Sequence, residues 1–243
     1  MYTSFTLNVN GVYTRTQIKL PFIMSITRKA YHHGELRESL LQIAEQQLEM
    51  DGPAGLSLRK LGRKLGVSPG APYRHFEDKD GLLAALATRG FKRLRQMMLD
   101  AQKGAVRGED RLRCAGIGYV GFASQHPELF RLMFGWMPAR DVPELYESGT
   151  AAFAVFVDTL NACQREGLLS QRPLEAGLLA WSAVHGASFL LIDDGLKVCD
   201  VKPNAEDVAN RLHASMWSGI GRTAPSGDQD SYQVANASMK APS

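Results

Sequence analysis

Apolar residues recur three and four positions apart over most of this chain, the spacing that places them on one face of an α-helix. From Glu35 to Met50 this pattern predicts a first helix, which ends near Gly52-Pro53. Later stretches of the same periodicity predict helices over Asp80 to Gly104, Asp110 to Gln125, Pro127 to Phe134, Val142 to Glu166, Pro173 to Leu191 and Asn204 to Gly221. No strand-like alternation of useful length accompanies them, so the pattern predicts an all-α fold.

The run from position 57 to position 83 predicts two short helices joined by a tight turn. Ser57 is a suitable N-cap for a first helix of about nine residues. Gly66 follows where a left-handed residue commonly ends a helix, and Ser68-Pro69 supplies a second cap with proline at the first helical position. The second helix is expected from Pro69 to Phe76. This arrangement is a helix-turn-helix, a unit that docks on DNA.

The surface of the predicted second helix suits a nucleic-acid partner. Its first turn carries almost no side-chain bulk, so its backbone can approach base edges, and its end is rich in groups that hold phosphates. The alternative interpretation is that Tyr73 and Phe76 are core aromatics and that the basic residues form a solvated face. We expect DNA contacts from Arg59, Ser68, Pro69, Gly70, Ala71, Tyr73, Arg74, His75 and Lys79.

One unbroken pattern is formed by Ser57, Leu61, Leu65-Gly66-Val67-Ser68, Gly70, Tyr73, His75-Phe76, Lys79 and Leu82-Leu83. It resembles the DNA-binding domain of TetR-family transcriptional regulators, and the resemblance extends from Gly34 to about Ala87. Two positions depart from the family pattern: many members carry a helix-favouring residue in place of Pro72, and alanine is common in place of Gly62. Pro72 is expected to shorten the second helix without forbidding it. A shorter stretch, Trp181 to Gly186, is similar to the Trp-His-Gly signature of one C-terminal domain class in that family.

The resemblance implies an N-terminal three-helix helix-turn-helix domain followed by a C-terminal helical-bundle domain for effector binding and dimerisation. Two recognition helices of a homodimer would enter successive major grooves of a pseudo-palindromic, double-stranded operator and repress transcription. The expected boundaries are 31–95 for the DNA-binding domain and 96–222 for the second domain. A DNA-binding protein of the same fold that has no small-molecule effector, or that is controlled by a protein partner, stays open as the rival interpretation.

The two ends of the chain differ from this helical pattern. Met1 to Ile23 is rich in Thr, Val and Tyr, which favour strand or coil, and residues 1–30 are expected to form a flexible extension. Met24 is an alternative to Met1 as the initiator, because the residues that follow it resemble an ordinary start for the family. Residues 223–243 have low apolar content and many small polar residues, so this tail is expected to be disordered.

Charge is distributed unevenly along the chain. From Met24 to Asp100 there are 13 Lys and Arg against 9 Asp and Glu, whereas from Ala101 to Ser243 there are 13 against 16. A basic N-terminal part beside an acidic remainder suits one domain on nucleic acid and another that faces elsewhere.

Cysteine and histidine usage indicates neither a metal site nor a disulfide framework. Cys114, Cys163 and Cys199 are odd in number and widely spaced, and the adjacent His32 and His33 are expected to be exposed to solvent. No apolar run approaches the roughly 18 residues of a membrane-spanning helix, and the first 23 residues lack the features of a signal peptide. We therefore expect a cytoplasmic protein without a metal, a cofactor or a membrane partner.

A cluster of large apolar residues predicts a site for a small hydrophobic effector between helices of the second domain. Met133, Trp136 and Met137 are the preferred candidates, because methionine adapts to irregular shapes and Trp offers an N–H beside an apolar face. His185 is either a donor to that effector or a satisfied buried histidine, and the whole cluster is alternatively plain core. The candidates are Phe122, Phe130, Met133, Phe134, Trp136, Met137, Phe153, Phe156, Trp181 and His185.

An enzyme is the competing functional class. The titratable residues of the second domain form no recognisable nucleophile, metal or phosphate motif, although Glu144, Glu147, Asp158, Asp193, Asp194 and His185 are present. We therefore expect no catalytic residues.

Overall fold

A computed structural model describes residues 4–7, 13–16, 33–199 and 204–221. Near the N-terminus, β1 (Ser4–Leu7) and β2 (Tyr13–Thr16) pair in an antiparallel ribbon. The composition of this segment predicted strand or coil, and the rest of the predicted extension lies outside the described residues, as does the tail 223–243. Met1–Glu35 forms one compact unit of the chain and Leu36–Ser243 the other.

The first domain consists of three helices around a leucine-rich core. The helices are α1 (His33–Asp51), α2 (Leu58–Lys64) and α3 (Lys79–Ala101). Leu40, Leu48, Leu61 and Leu82 are almost completely buried where these helices meet. Helix α1 was predicted from its apolar periodicity, and its observed ends lie within two residues of the expected ones. With 23 residues, α3 is about 34 Å long and continues past the predicted boundary at 95 into the second domain.

The predicted second helix of the helix-turn-helix is not an α-helix. Residues 69–71 form turns, and only a short 3-10 helix, Pro72–Arg74, follows them. The amides of Ala71, Arg74 and His75 each bond the carbonyl three residues earlier. The prediction from Pro69 to Phe76 was wrong because Pro72 has no N–H to give and its ring is buried against α2, which favours the tighter winding.

The turn before this segment has the predicted backbone but not the predicted cap. Gly66 has a φ of 68°, the left-handed conformation that was expected to end α2. Ser57 has the extended backbone of an N-cap, but its hydroxyl makes no capping hydrogen bond, and its carbonyl accepts from the amide of Leu61 instead. The next helix does have a side-chain cap: Asp78 accepts from the amide of Gly81 at 2.8 Å and starts α3.

In the described residues of the second domain there are five further α-helices, and each was predicted to within about three residues at either end. They are α4 (Gly108–Gln125), α5 (Pro127–Gly135), α6 (Pro143–Arg165), α7 (Pro173–Ile192) and α8 (Ala205–Ile220). The central helix, α4, packs against α3, α5, α6, α7 and α8. The predicted all-α fold is therefore confirmed for the helical body of the chain.

Close packing between α3 and α4 depends on a glycine. A Cβ added to Gly118 would lie 2.9 Å from both the Met97 carbonyl oxygen and the Met98 Cα. Backbone atoms cannot move aside as a flexible side chain can, so only glycine allows this approach. The contact holds α4 against the C-terminal end of α3, beyond the predicted boundary at 95.

The apolar helix α7 corrects the expectation that no segment approaches a membrane-spanning length. By length and composition alone, its 20 residues would suffice to cross a membrane, and its mean hydropathy is 1.3. In this fold α7 packs against α4, α6 and α8. Leu174, Leu178, Leu179 and Leu190 remain exposed on its outer side.

Candidate functional site

A basic depression of about 450 Å³ lies between α2 and the turn that follows it. Arg59, Lys60 and Arg63 project around it from α2, and Val67 and Pro69 close its other side. Sequence reasoning named Arg59 and Pro69 but missed Lys60 and Arg63. Their signal was present, because positions 59, 60 and 63 lie on the solvent face of a helix whose buried leucines are 58 and 61.

The predicted recognition segment presents a small, exposed backbone with cations beyond it. Ser68, Pro69 and Gly70 are exposed, and a Cβ on Gly70 would meet no atom within 4 Å. Ala71, His75 and Lys79 are half-buried, while Arg74 is exposed. Such a surface permits close approach to a duplex and supplies charge for its phosphates.

The two aromatic residues of this segment have different environments. Tyr73 is 47% exposed, so it does not belong to the core. Phe76 is buried, and the guanidinium of Arg37 lies 5.3 Å from its ring centroid. The interpretation of both as core aromatics is thus correct for Phe76 only, and Tyr73 stands beside the exposed cations.

An apolar cavity of about 410 Å³ lies in the second domain between α3, α5, α6 and α7. Two edge-to-face ring pairs stand in its wall: Phe91 with Phe134 at 5.2 Å and Phe153 with Trp181 at 5.4 Å. Six of the ten predicted ligand residues line it, namely Met133, Phe134, Trp136, Met137, Phe153 and Trp181. The lining residues that sequence reasoning missed are Phe91, Pro138, Leu145, Tyr146, Gly149, Thr150 and Leu178.

Polar groups at this cavity are few. The hydroxyls of Tyr146 and Thr150 and the indole N–H of Trp136 belong to lining residues, and no described residue forms a hydrogen bond with any of them. The spacing of Tyr146, Thr150 and Phe153 on α6 was the available sequence signal for this wall. The cavity can therefore enclose a mostly apolar molecule and bond one or two polar atoms on it.

Four of the predicted ligand residues do not line the cavity. Phe122, Phe130 and Phe156 are almost completely buried and belong to the core around α4. His185 stands behind the cavity wall, with its ring centroid 4.5 Å from that of Phe134 and 5.6 Å from that of Trp181. Periodicity places such residues on inward faces but does not distinguish a filled interior from a gap.

His185 is a satisfied histidine in a hydrogen-bonded chain. The indole N–H of Trp181 donates to the Tyr119 hydroxyl at 3.2 Å, and that hydroxyl lies 2.9 Å from His185 Nδ1. The Tyr119 hydroxyl accepts from Trp181 and can donate its own proton to Nδ1 when the histidine proton is on Nε2. Burial lowers the pKa of His185 and raises that of Tyr119, so both groups are neutral near pH 7.

The first domain is joined to α5 by the carboxylate of Glu49. Its two oxygens accept from the amides of Glu128 and Leu129, each at 3.1 Å, in the first turn of α5. These amides lack partners within their own helix, so the contact crosses from α1 to cap α5. Burial raises the pKa of Glu49, while the two hydrogen bonds oppose that rise.

A second junction involves Arg140, in the segment between α5 and α6. Its guanidinium donates to Glu77 at 2.7 Å and to the two oxygens of Asp78 at 3.0 and 3.1 Å. Asp78 is the N-cap of α3, and three residues of the Arg140 segment, Trp136, Met137 and Pro138, line the apolar cavity. The wall of the cavity is thus connected directly to the N-terminus of α3, beside the predicted DNA-contacting residues.

Across the described ranges, no three His, Cys, Asp or Glu side chains are grouped as a metal site requires. Cys114 and Cys163 are both free, and burial raises the pKa of the Cys163 thiol to about 11.

The chain is similar to two described families over most of its helical body. Residues 40–86 match the bacterial regulatory proteins of the tetR family, and residues 112–216 match the tetracyclin repressor-like C-terminal domain. The first match contains α2 with its turn, and the second runs from α4 into α8. Both parts of the predicted organisation are therefore found in one chain.

Similar solved structures share this fold. A protein with unknown function from Rhodococcus sp. RHA1 is 34% identical, with a TM-score of 0.71 over 80% of this chain and 100% of that one. A regulatory protein in the tetR family from Rhodococcus RHA1 is 16% identical, with a TM-score of 0.60 over 78% and 99%. A TetR family transcription regulator from Marinobacter aquaeolei VT8 is 17% identical, with a TM-score of 0.58 over 77% and 96%.

The two matched regions, the exposed basic turn and the helical second domain lead to one conclusion. The chain belongs to the tetR family of bacterial regulatory proteins and is a DNA-binding transcriptional regulator.

Proposed function

We propose that this regulator is a ligand-responsive repressor that acts in the cytoplasm as a homodimer on a pseudo-palindromic operator. The exposed turn after α2 supplies one DNA-contacting unit per chain, and two-fold symmetry would present two of them to successive major grooves. The exposed Leu174, Leu179 and Leu190 of α7, which do not line the apolar cavity, offer apolar surface for the partner chain. Gly186 lies exposed on the same helix, with room for close approach at the Trp-His-Gly stretch that resembles the family class of that name.

The effector is a small, mostly hydrophobic molecule in the apolar cavity. The volume of about 410 Å³ and the aromatic wall support this class. Its polar atoms would meet Tyr146, Thr150 or Trp136. This replaces the sequence-based suggestion of His185, whose Nδ1 is engaged by Tyr119.

The observation that carries the proposal is the ion pair of Arg140 with Glu77 and Asp78. An effector changes DNA affinity only if it binds the DNA-competent and DNA-incompetent arrangements unequally. An occupant that displaces Trp136 or Met137 moves the segment that carries Arg140, and so it changes the position of Asp78 at the start of α3. A bound effector would therefore change the free-energy difference between the DNA-competent and the DNA-incompetent arrangement.

The test is a screen of apolar compounds against the full-length protein, with melting temperature and operator binding measured together. A compound at a hundredfold excess over its dissociation constant is expected to stabilise the protein by about 2.7 kcal/mol per site and to release operator DNA. In the Arg140→Gln variant the same compound should still raise the melting temperature but should release less DNA. Lys103→Gln is the matched control, because it removes an exposed ion pair with Asp100 that lies wholly in the second domain.

The outcomes separate the rival interpretation from this one. If no apolar compound both raises the melting temperature and releases the operator, control by a protein partner or the absence of an effector is the better account. If Arg140→Gln and Lys103→Gln respond identically to an effective compound, coupling through Arg140 is refuted while ligand response stands.

A further inference from the structure

A second depression, of about 300 Å³, lies on the other side of the contact between α3 and α6, where α4 also borders it. Its floor is apolar and is formed by Leu99, Val155 and three alanines of α6. Its rim is cationic, with Arg95 from α3, Arg111 from α4 and Arg165 from α6. We call this depression the arginine groove.

The arginine groove carries more positive than negative charge. Although residues 101–243 have 13 Lys and Arg against 16 Asp and Glu, this part supplies Arg111 and Arg165 to the groove and one acid, Asp158, while α3 adds Arg95. Within the part of the chain that the structure describes, none of the three arginines forms an ion pair with a carboxylate. Their positive charges therefore face the solvent in the groove, where they would stabilise a bound anion.

Arg111 is oriented by the backbone. Its Nε donates to the carbonyl of Ala105 at 3.2 Å, and no described residue bonds its two terminal nitrogens. The guanidinium is therefore held at the edge of the groove with donors to spare, which is the geometry that suits a carboxylate, sulfonate or phosphate. Beside it, Thr159 and Gln102 bond one another at 3.2 Å and complete a polar edge.

The groove is separate from the two sites already described. Arg95 follows Lys79 by 16 residues along α3, a distance of about 24 Å, so the groove lies far from the helix-turn-helix surface. The apolar cavity shares no lining residue with it and contains no cation in its wall. Nucleic acid and a neutral hydrophobic effector are therefore not its natural occupants.

We propose that the arginine groove is a second ligand site, which takes a small organic anion with an apolar body. The body would cover Leu99 and Val155, and the anionic group would lie among Arg95, Arg111 and Arg165. This inference does not depend on the ligand-responsive repressor proposed above, since the site, the ligand charge and the measurement all differ.

The test compares two fluorescent probes that share one aromatic body. The anionic probe is 1-anilinonaphthalene-8-sulfonate, and the neutral one is N-phenyl-1-naphthylamine. Titrations use the full-length native protein, the double variant Arg95→Gln/Arg165→Gln, the variant Asp158→Asn and the control Arg172→Gln. Arg95, Arg165 and Asp158 are exposed, so their substitution leaves the core intact. The control Arg172→Gln removes one positive charge at the start of α7, outside the groove.

The groove predicts effects of opposite sign. The double variant should bind the sulfonate about fivefold more weakly, and Asp158→Asn should bind it about twofold more tightly, because exposed charge pairs contribute modestly. The affinity of the neutral probe for the groove variants, and the affinity of the sulfonate for Arg172→Gln, should change by less than about twofold. The proposal would be overturned if the sulfonate affinity were the same in both groove variants as in the native protein. It would also be overturned if the affinity of the neutral probe fell in parallel with that of the sulfonate.

Discussion

Gly62 and Pro72, the two residues that depart from the family pattern, touch each other in the folded chain. A Cβ on Gly62 would lie 2.7 Å from Pro72 Cγ and 3.3 Å from Pro72 Cδ. Pro72 is buried, so its ring fills the space that the missing methyl group leaves on α2. The sequence showed both departures but not that each one compensates for the other.

This contact predicts that Gly62→Ala destabilises the native protein but stabilises a protein in which Pro72 has been replaced by alanine. In the native background the added methyl group overpacks the site and should cost about 1–3 kcal/mol. In a Pro72→Ala background the clash is removed, and alanine in the interior of α2 should gain about 0.5–1 kcal/mol over glycine. Urea unfolding of the four proteins of this cycle measures both values, and strictly additive effects would refute the coupling.

Single residues of the aromatic cluster also differ in role: some belong to the core and others to the cavity wall. Phe130→Ala removes a completely buried ring and should cost about 3–5 kcal/mol of unfolding free energy. Trp136→Ala removes a half-exposed ring from the cavity wall, so it should lower stability far less while it weakens binding of N-phenyl-1-naphthylamine. Denaturant unfolding and probe titration of both variants check the division, which fails if the two substitutions cost the same stability.

At the scale of elements, hydrophobic periodicity was sufficient for every long helix. The apolar spacing of α4 and α6 and the prolines that begin α5, α6 and α7 fix their position along the chain. The segment from Pro69 to Phe76 was predicted wrongly because its winding depends on a ring buried against another helix. Contacts such as Arg140 with Asp78 were also beyond prediction, since 62 residues separate the partners.

Two glycines of α4 give opposite predictions for the same substitution. Gly118→Ala pushes a methyl group onto the backbone of α3 and should destabilise the protein by about 1–3 kcal/mol. At Gly121 a Cβ would meet no atom within 4 Å, so Gly121→Ala should stabilise the helix by about 0.5–1 kcal/mol. Thermal melting of the two variants should therefore shift in opposite directions, and a common direction would contradict the packing of α3 on α4.

At the scale of the whole molecule, three buried or half-buried histidines contribute to the response to acid. Burial lowers the pKa values of His126, His185 and His213 below their ordinary value of 6.5. Between those lowered values and 6.5 the unfolded chain binds more protons than the folded one, so stability is complete above this window and is lost as the pH falls through it. Glu49, whose pKa is raised above 4.5, contributes with the opposite sign in more acidic solution.

The melting temperature is therefore expected to fall as the pH is lowered from 7.5 to 5.5. The variant His185→Gln should show a shallower fall, because one of the three contributing groups is gone and glutamine can still accept from Tyr119. Calorimetry of both proteins across this range provides the comparison. Parallel curves for the native protein and the variant would exclude His185 from the response.

The bond from Glu49 to α5 limits how freely this regulator can exchange parts with its relatives. A chimaera that joins another family member's first domain to these C-terminal helices inherits whatever residue stands at the position of Glu49. Without a carboxylate there, the amides of Glu128 and Leu129 lose their acceptor, and the graft should melt earlier than one that restores it. An acidic residue at the position of Glu49 is thus one requirement for a compatible donor, and it can be checked in a sequence before any gene is built.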